Sequence, residues 1–407
     1  MSSSDVEQLP DDLVIQNDSK IVFLVVDGLG DIQQPDGRET PLAVADTPVM
    51  DELARENCTG QVETIRPGVI PGSPSGHLAV FGYDPIQNQI GRGIVSALGI
   101  NFDLTEQDVA ARVNFCTIDD DGLVTDRRAG RISTEENKRL CEKINKNVEL
   151  DGDVELFFET VSEHRALLVL RGADLGGDLS DTDPQELGVE PKEIKGFDQA
   201  SERTAEHVRS FLSQVRDVLS DEERANMILS RGYDGYEPMP SIKDRYGLSA
   251  KGIAQYPMYL GFSRLVGMDT EERIPETRAE ELEMVKNDWE NYDFFYVHIK
   301  KTDSYAEDGN FEKKRNVIED VDQQLPELLD LDPDVLVITA DHSTPVPMKS
   351  HSWHPVPTLL ASENARTDEA EAFSETEALQ GGLSRYQTSD LVSLALANAG
   401  RLSKFGP

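Results

Sequence analysis

The chain has 407 residues, which is long enough to bury a sizeable core and typical of two or three domains. It carries 77 acidic against 39 basic side chains, a formal net charge of −38 at pH 7. Because nucleic-acid binding needs basic patches, this balance argues against a nucleic-acid partner. The acidic excess runs along the whole chain, as expected for a protein adapted to high salt, where screening weakens self-repulsion. An acidic protein from a low-salt cell is the alternative.

The first twenty residues, MSSSDVEQLPDDLVIQNDSK, are polar and acidic, without the basic start and apolar segment of a secretory signal. No stretch of the sequence approaches the length of a membrane span. We therefore expect a cytoplasmic protein with no membrane partner. Its three cysteines are widely spaced, so neither a disulfide framework nor a thiolate metal cage is indicated. The oligomeric state is left open.

The first apolar run is IVFLVV, residues 21–26, which leads directly into Asp27. A short continuous run rich in β-branched residues is typical of a buried parallel strand. A helical pattern follows in TPVMDELARE, which begins at Thr47 and would supply a crossover connection. These segments predict the start of an α/β domain.

The next notable segment is PGSPSGHLAVFGYDP, residues 71–85. Serine is a favoured N-cap and proline suits the first helical position, so we expect a helix capped by Ser73. The N-terminus of a helix attracts anions, and a hydroxyl placed there could meet a phosphoryl group. An ordinary capping serine without any chemical role is the alternative.

The middle of the chain has shorter apolar runs than the two flanking parts. Shorter strand-like runs such as RALLVLRG (165–172) accompany an amphipathic helical pattern at 200–219. The sequence therefore predicts a discontinuous domain formed by residues 1–90 and 253–407, and an inserted α+β domain formed by residues 91–252.

Two more apolar runs lie in the last third of the chain. DFFYVHI, residues 293–299, precedes Asp303, and DVLVIT, residues 334–339, precedes Asp341 and His342. Because ligands of open α/β sheets bind beyond the carboxyl ends of the strands, we expect the aspartates after the three runs to converge. The predicted fold class is α/β, with a mainly parallel sheet flanked by helices.

Several side chains near these strand ends can bind metal. Carboxylates together with imidazoles suit Mn²⁺, Zn²⁺ or Mg²⁺, and the set is large enough for two ions. An aspartate after a strand can instead merely cap the next helix. The candidate ligands are Asp27, Ser73, Asp303, Glu307, Asp341, His342 and His351.

Arginines replace lysines over a long part of the chain. No lysine lies between Gln61 and Asn137, whereas arginines recur there. The planar guanidinium binds phosphate or carboxylate in a bidentate way, so the pattern suits a small dianionic substrate. A general preference for arginine is the alternative. The arginines in this range are Arg66, Arg92, Arg112, Arg127, Arg128 and Arg131.

Six segments together carry a family resemblance. They are VVDGLGD (25–31), TPLAVADTPVMDELA (40–54), PGSPSGHLAVFGYDP (71–85), GRGIVSALGI (91–100), HIKKTDSYAEDG (298–309) and TADHSTPVPMKSHSWHPVP (339–357). In these the chain resembles the archaeal-type cofactor-independent phosphoglycerate mutases of the alkaline phosphatase superfamily. The resemblance implies interconversion of 3-phosphoglycerate and 2-phosphoglycerate through a phosphoserine, at a two-metal site and without 2,3-bisphosphoglycerate.

The resemblance also implies roles for individual residues. Ser73 would be the nucleophile, and the inserted domain would act as a lid that holds a small phosphorylated hydroxy acid as substrate. The candidate substrate-binding residues in this lid are Arg112, Arg127, Arg128, Arg131, Arg171 and Arg231. One metal ion would be held by Asp27, Ser73, Asp341 and His342, and the other by Asp303, His351 and residue 307.

The sequence departs from the family pattern at two places. Glu307 stands where the family commonly has histidine. A carboxylate in place of an imidazole favours harder metals, and Mn²⁺ is the first candidate, with Zn²⁺ or Mg²⁺ as alternatives. The serine motif is SPSGH rather than the more common SDTAH, and His354 is an additional imidazole of undefined role. Two other functions therefore stay open. They are a metal-dependent phosphomonoesterase or other phosphotransferase of the same superfamily, and a binding protein without activity.

Overall fold

The computed structural model describes residues 13–406. The expectation about a leader at residues 1–20 lies largely outside them. The strands in the described part are β1 (Ile21–Val26), β2 (Cys58–Glu63), β3 (Asp108–Ile118), β4 (Val124–Asp126), β5 (Glu155–Ser162), β6 (Arg165–Arg171), β7 (Met227–Gly235), β8 (Ala250–Ala254), β9 (Asp269–Thr270), β10 (Phe294–Ile299), β11 (Val335–Thr339), β12 (Val356–Ala361) and β13 (Arg385–Gln387).

The helices accompany these strands in chain order. They are α1 (Pro41–Val44), α2 (Pro48–Glu56), α3 (Ser73–Val80), α4 (Arg92–Gly99), α5 (Thr134–Asn147), α6 (Gln199–Val218), α7 (Ile242–Tyr246), α8 (Pro257–Leu265), α9 (Arg278–Asp288), α10 (Lys301–Glu307), α11 (Phe311–Asp322), α12 (Leu325–Leu329), α13 (Glu375–Gln380) and α14 (Leu391–Asn398). None of the helices within residues 13–406 has both the length and the apolar character that crossing a membrane requires.

The chain divides into two compact units. The first consists of Met1–Gln89 and Pro240–Pro407, and the second of Ile90–Met239. The sequence interpretation placed the return to the first domain at residue 253, but the structure places it at Pro240. The reason is that β8 pairs with β10 in the large sheet of the first unit. Its sequence, AKGIA, is short and contains lysine and glycine, so it lacks the apolar signal of the other strands.

The first unit is built on an eight-stranded sheet in the order β13-β2-β12-β11-β1-β10-β8-β9. Only the two pairings made by β12 are antiparallel; the others are parallel. The predicted strands β1, β10 and β11 are adjacent, and every one of their residues is buried. Apolar side chains of α2, α9, α11 and α12 pack with them in one core. The α/β fold class with a mainly parallel sheet is confirmed.

Register brings the ends of the central strands to one edge of this sheet. Val26 pairs with Ile299, and Val25 pairs with Thr339. The residues that follow β1, β10 and β11 therefore emerge together. This edge carries most of the candidate ligands.

The second unit contains an antiparallel sheet in the order β4-β3-β6-β5, with β7 also paired to β3. The long helix α6 buries Ala205, Val208, Phe211 and Val215 in the core of this unit, which includes residues of β3 and β6. Its amphipathic pattern was visible in the sequence. The unit is α+β, as the sequence predicted for the inserted segment.

Candidate metal centre and active site

The first ligand position is the turn after β1. Asp27 is buried, and Gly28 follows it with a φ of +65°, a conformation that L side chains rarely adopt. A Cβ atom on Gly28 would lie 2.6 Å from Thr344 Oγ1 and 3.0 Å from Asp303 Cβ. Glycine therefore allows the end of β1 to approach both Thr344 and Asp303.

Asp27, Asp341 and His342 form a fully buried group whose potential ligand atoms all lie within 4.8 Å of one another. His342 Nε2 lies 3.4 Å from Asp27 Oδ1 and 3.2 Å from Asp341 Oδ2. These three residues come from the ends of two adjacent parallel strands, β1 and β11. The convergence expected for Asp27 and Asp341 is thus present.

A second group consists of Asp303, His342 and His351. His351 Nε2 lies 3.7 Å from Asp303 Oδ1, and the rings of His342 and His351 stack with centroids 3.6 Å apart. His342 therefore belongs to both groups. The His342 imidazole therefore lies between the two candidate metal positions.

Buried polar atoms in the first group lack hydrogen-bond partners among the described residues. They are Asp27 Oδ1, both carboxylate oxygens of Asp341 and His342 Nε2. Leaving such groups unpaired in a protein interior costs about 1–3 kcal/mol each. A divalent cation bound by these atoms would satisfy them, and the mixture of carboxylates and imidazole is a usual donor set for one. The residues present therefore fit a metal ion.

Electrostatics at this centre are strongly perturbed. Burial and the nearby Asp27 charge raise the pKa of Asp341 well above its usual range. Burial by itself would also raise the pKa of Asp27, but Lys300 and His298 hold it well below its usual range. Burial lowers the pKa of His342 to about 4, so this imidazole is neutral at pH 7 and can offer a lone pair.

The serine motif forms helix α3, with a correction to the predicted cap. Ser73 is the first helical residue rather than the N-cap, and Gly72 occupies the N-cap position. The capping contacts are made by Ser75, whose Oγ accepts from the Gly72 N–H at 3.1 Å and donates to the Gly72 carbonyl at 2.9 Å. Because Ser75 makes the contacts to the N-cap residue, the Ser73 hydroxyl does not cap the helix.

Residues 71–77, which include the start of α3, contact both metal groups. His77 Nδ1 lies 2.8 Å from the Ser73 carbonyl oxygen and 3.3 Å from Asp341 Oδ2. His351 Nδ1 lies 2.9 Å from the carbonyl oxygen of Pro71. The helix start that carries Ser73 is therefore fixed to a ligand of each group.

Glu307, predicted as a ligand, is exposed and belongs to neither group of described residues. Desolvation and the charge of Asp303 raise the pKa of Glu307. Its role stays a prediction. His354, whose role was undefined, has Nδ1 2.9 Å from Ser352 Oγ and stacks on Trp353.

Sequence reasoning missed several side chains that surround the ligands. Lys300 Nζ contacts one carboxylate oxygen of Asp27, at 3.1 Å, and one of Asp303. The Tyr259 hydroxyl donates to Asp27 Oδ2 at 2.7 Å, and His298 Nε2 lies 3.2 Å from the same atom. Lys300 stood in the quoted HIKKTD segment, but nothing in its spacing separated it from a surface lysine.

The predicted arginines are located in the second unit. A cavity of about 140 Å³ there is lined by Arg112, Asn114, Arg127, Arg128, His164, Arg165 and Arg231. Four of the six predicted arginines therefore lie together. Arg131 does not line this cavity, and Arg171 forms an ion pair with Asp108 at 2.7 Å instead.

This cavity, called the arginine basin below, is only partly neutralised. Arg127 binds Asp183 through two nitrogens, at 2.9 and 2.7 Å, and Arg231 lies 3.6 Å from the same carboxylate. Burial and the charges of neighbouring arginines, Arg165 among them, lower the pKa of Arg112 to about 10. Cations that destabilise one another in this way favour an anionic ligand.

Asn114, His164 and Arg165 were not predicted as members of the basin. Register explains their presence, because Asn114 pairs with Arg165 across β3 and β6, and Arg112 pairs with Arg231 across β3 and β7. The sequence showed the β6 run but not its partner strand. The alternation of polar side chains in RVN of β3 was the one available signal.

Comparison with known proteins decides the family. Residues 54–225 match the 2,3-bisphosphoglycerate-independent phosphoglycerate mutase family. A Thermotoga sp. protein named "probable 2,3-bisphosphoglycerate-independent phosphoglycerate mutase" is 47% identical over 402 residues, 99% of each chain. The chain belongs to this family of isomerases. The resemblance stated from the sequence motifs is confirmed.

Other relatives agree with this membership. A Thermus thermophilus protein of the same name is 48% identical over 397 residues, covering 97% of this chain and 98% of its own. Among solved structures, a protein from Pyrococcus horikoshii superposes with a TM-score of 0.82 at 29% identity, over 96% of this chain and 100% of the other. The cofactor-independent phosphoglycerate mutase from Thermoplasma acidophilum gives a TM-score of 0.71 at 30% identity, over 94% and 100%.

Proposed function

We propose that this protein interconverts 3-phosphoglycerate and 2-phosphoglycerate through a phosphoserine formed on Ser73, without 2,3-bisphosphoglycerate. The single observation that carries the chemistry is the position of α3. The helix that begins at Ser73 is joined through His77 to Asp341 and, through Pro71, to His351. A nucleophile beside two groups of metal-binding side chains suits phosphoryl transfer.

Each transfer step can be balanced with the residues described. The Ser73 oxygen forms a bond to phosphorus while the bond from phosphorus to the 3-oxygen of the substrate breaks, and the serine proton passes to the departing oxygen. Glycerate then reorients, its 2-oxygen forms a bond to phosphorus while the bond from phosphorus to the Ser73 oxygen breaks, and the proton of the 2-hydroxyl passes to the Ser73 oxygen. The helix N-terminus adds positive potential at the transferring group.

We assign one metal ion to Asp27, Asp341, His342 and Ser73. We assign a second ion to Asp303, His351 and Glu307, and His342 lies between the two ions. When bound, these ions would lower the pKa of the Ser73 hydroxyl and offset charge on the phosphoryl oxygens. Lys300 would orient the Asp27 and Asp303 carboxylates and keep Asp27 ionised. Mn²⁺ is the proposed metal because the donors are carboxylates and imidazoles without thiolate.

Glu307 is the least supported of these ligands, and a titration can decide its role. Removing a ligand should weaken metal binding, so Glu307→Ala should raise the Kd for Mn²⁺, and Glu307→His should shift the preference toward Zn²⁺. Asp308→Ala, at the adjacent exposed position, is the matched control. Parent-like titrations of both Glu307 variants would remove Glu307 from the ligand set.

The arginine basin is proposed to bind the anionic groups of the substrate, so that the second unit acts as the substrate-binding lid. A partly neutralised group of guanidinium cations favours carboxylate and phosphate. Binding that prevents release of glycerate and entry of water would favour isomerisation over hydrolysis.

The cellular setting follows from charge and family. A net charge of −38 supports adaptation to high salt, and the sequence supports a cytoplasmic place in glycolysis or gluconeogenesis. No nucleic-acid partner is proposed. The cytoplasmic place can be tested by fractionating cells that produce the protein, where recovery in the membrane or secreted fraction would contradict it.

One assay tests the proposed function. Purified protein is mixed with Mn²⁺ and 3-phosphoglycerate, and 2-phosphoglycerate and inorganic phosphate are measured together. We expect 2-phosphoglycerate to form with phosphate as a minor product. Stoichiometric phosphate with no 2-phosphoglycerate, at every metal and salt concentration, would instead identify a phosphomonoesterase.

A further inference from the structure

The side chain of Thr344 lies between one residue of each metal group. Its Oγ1 is 2.7 Å from Asp303 Oδ1 and 3.1 Å from His342 Nδ1. The residue is completely buried. Neither motif reasoning nor the ligand assignment above gives this hydroxyl a role.

Hydrogen-bond chemistry allows one arrangement of protons at this point. A threonine hydroxyl has a single hydrogen, and an ionised carboxylate can only accept. Lys300 Nζ also contacts the carboxylate of Asp303, which therefore accepts from two side chains. The Thr344 hydrogen therefore goes to Asp303, and the Thr344 oxygen accepts from the Nδ1–H of His342.

This arrangement fixes the tautomer of His342. With the proton on Nδ1, the lone pair is on Nε2, the atom that faces Asp27 Oδ1 at 3.4 Å and Asp341 Oδ2 at 3.2 Å. A histidine that binds metal through one nitrogen commonly donates through the other to a neighbouring acceptor. Thr344 supplies that acceptor while it also orients a carboxylate of the other group.

The backbone of Thr344 is held by a buried ion pair. Lys314 Nζ donates to the Thr344 carbonyl and to Asp31 Oδ2, both at 2.9 Å, and the side chains of both charged residues are fully buried. The Thr344 N–H donates to the Gly30 carbonyl at 3.1 Å. Because Gly28 has no Cβ, the hydroxyl can occupy the space beside Asp303. Contacts to the Thr344 backbone and the space left by Gly28 together fix the position of the Thr344 hydroxyl.

We propose that Thr344 is a positioning residue that couples the two metal sites, by holding His342 in the Nδ1–H tautomer and Asp303 in its ligating orientation at the same time. The proposal rests on the two-metal centre of the proposed function. It predicts that loss of one hydroxyl weakens binding at both sites, although Thr344 itself binds neither ion.

Calorimetric titration with Mn²⁺ in the absence of substrate tests this coupling. Thr344→Val keeps the shape and removes the hydroxyl, and we expect affinity for both ions to fall by roughly 10- to 100-fold. Thr344→Ser should restore most of the affinity, because it returns the hydroxyl. Thr358→Val is the matched control, since Thr358 of β12 is equally buried and its hydroxyl pairs with Thr339 of β11 instead.

The outcomes separate this proposal from the two-metal centre itself. A parent protein that binds no divalent ion would overturn both. A parent that binds two ions, with Thr344→Val matching it at both sites, would overturn only the role of Thr344. Weakening at one site alone would overturn the coupling.

A second measurement needs no substitution at Thr344 and decides the question if Thr344→Val does not fold. The ¹⁵N chemical shifts of the histidine rings in the metal-free parent report the tautomer, and the His342 signals are assigned by their loss in His342→Gln. We expect a protonated Nδ1 and an unprotonated Nε2 at pH 7. An Nε2–H tautomer would overturn the proposal.

Discussion

Gly76 and Asp341 are in direct backbone contact. A Cβ atom on Gly76 would lie 2.4 Å from the Asp341 carbonyl oxygen, and the adjacent His77 lies 3.3 Å from the Asp341 carboxylate. The glycine in SPSGH therefore sets the distance between the helix that carries Ser73 and a ligand of the metal centre. This explains a feature of the motif that the sequence alone showed only as a departure from the family pattern.

Because the more common SDTAH motif has alanine at this position, the test uses a larger side chain, and Gly76→Leu should displace α3 from Asp341. A shift of about 1 Å at a reacting group can lower turnover by roughly 100-fold, and we expect a loss of that order in isomerisation. Gly72→Leu is the matched control, because Gly72 is exposed and a Cβ there would meet only Pro74 Cδ at 3.7 Å. The measurement is kcat for both variants, and equal rates would show that the close approach is not needed.

The two serines of the motif should differ in what they contribute. Ser73→Ala should lower turnover by roughly 10³-fold or more, because the proposed nucleophile is lost while the helix cap remains. Ser75→Ala should lower stability by about 1 kcal/mol, through loss of the capping contacts, and leave chemistry largely intact. Rates and urea unfolding of both variants are compared. Parent-like turnover of Ser73→Ala would exclude the phosphoserine mechanism.

The extent to which the site could be predicted follows from its geometry. Asp27, Asp303 and Asp341 were predictable because each follows an uninterrupted apolar strand, and parallel strands end at one edge of the sheet. Thr344 was not, because its role arises from contacts to two other segments of the chain. Arg165 joins the arginine basin through antiparallel register, which the β6 run alone does not specify.

Variants of two arginines in the second unit can distinguish a substrate-binding arginine from one that only forms an ion pair. Arg112 lines the basin, where burial and neighbouring arginines lower its pKa to about 10, whereas Arg171 is paired with Asp108 outside the basin. A charged hydrogen bond contributes about 1.5–3 kcal/mol, so Arg112→Ala should lower kcat/KM by roughly 10- to 100-fold. It should also lower the ratio of 2-phosphoglycerate to released phosphate, and Arg171→Ala should leave that ratio unchanged. Equal ratios in both variants would contradict the assignment of the basin.

Salt should stabilise the protein. At a net charge of −38, repulsion among carboxylates opposes folding, and the screening length falls from about 10 Å at 0.1 M to about 3 Å at 1 M salt. We expect Tm to rise steadily between these concentrations of KCl. A constant Tm over this range would favour an ordinary acidic protein from a low-salt cell.

Glu281 should make stability depend on pH. Its side chain is buried beside a small apolar cavity lined by Leu282 and Val297, and burial raises the pKa of Glu281 to about 8, against a partial opposing effect of Arg278. In the unfolded chain the Glu281 carboxyl ionises with a pKa of about 4.3. Because the folded pKa is the higher one, the folded state binds more protons between these values, and stability is lost as pH rises through this window.

The loss should amount to at most about 1.4 kcal/mol per pH unit between about pH 4.3 and 8. Glu281→Gln, which resembles the protonated acid, should remove this contribution, so the variant should gain stability relative to the parent at pH 8 and little at pH 5. Glu283→Gln, at an exposed position on the same helix, is the control. Urea unfolding at both pH values checks the sign. A difference between parent and Glu281→Gln that is the same at pH 5 and pH 8 would show that Glu281 does not titrate in this window, because the predicted contribution exists only where the two states bind different numbers of protons.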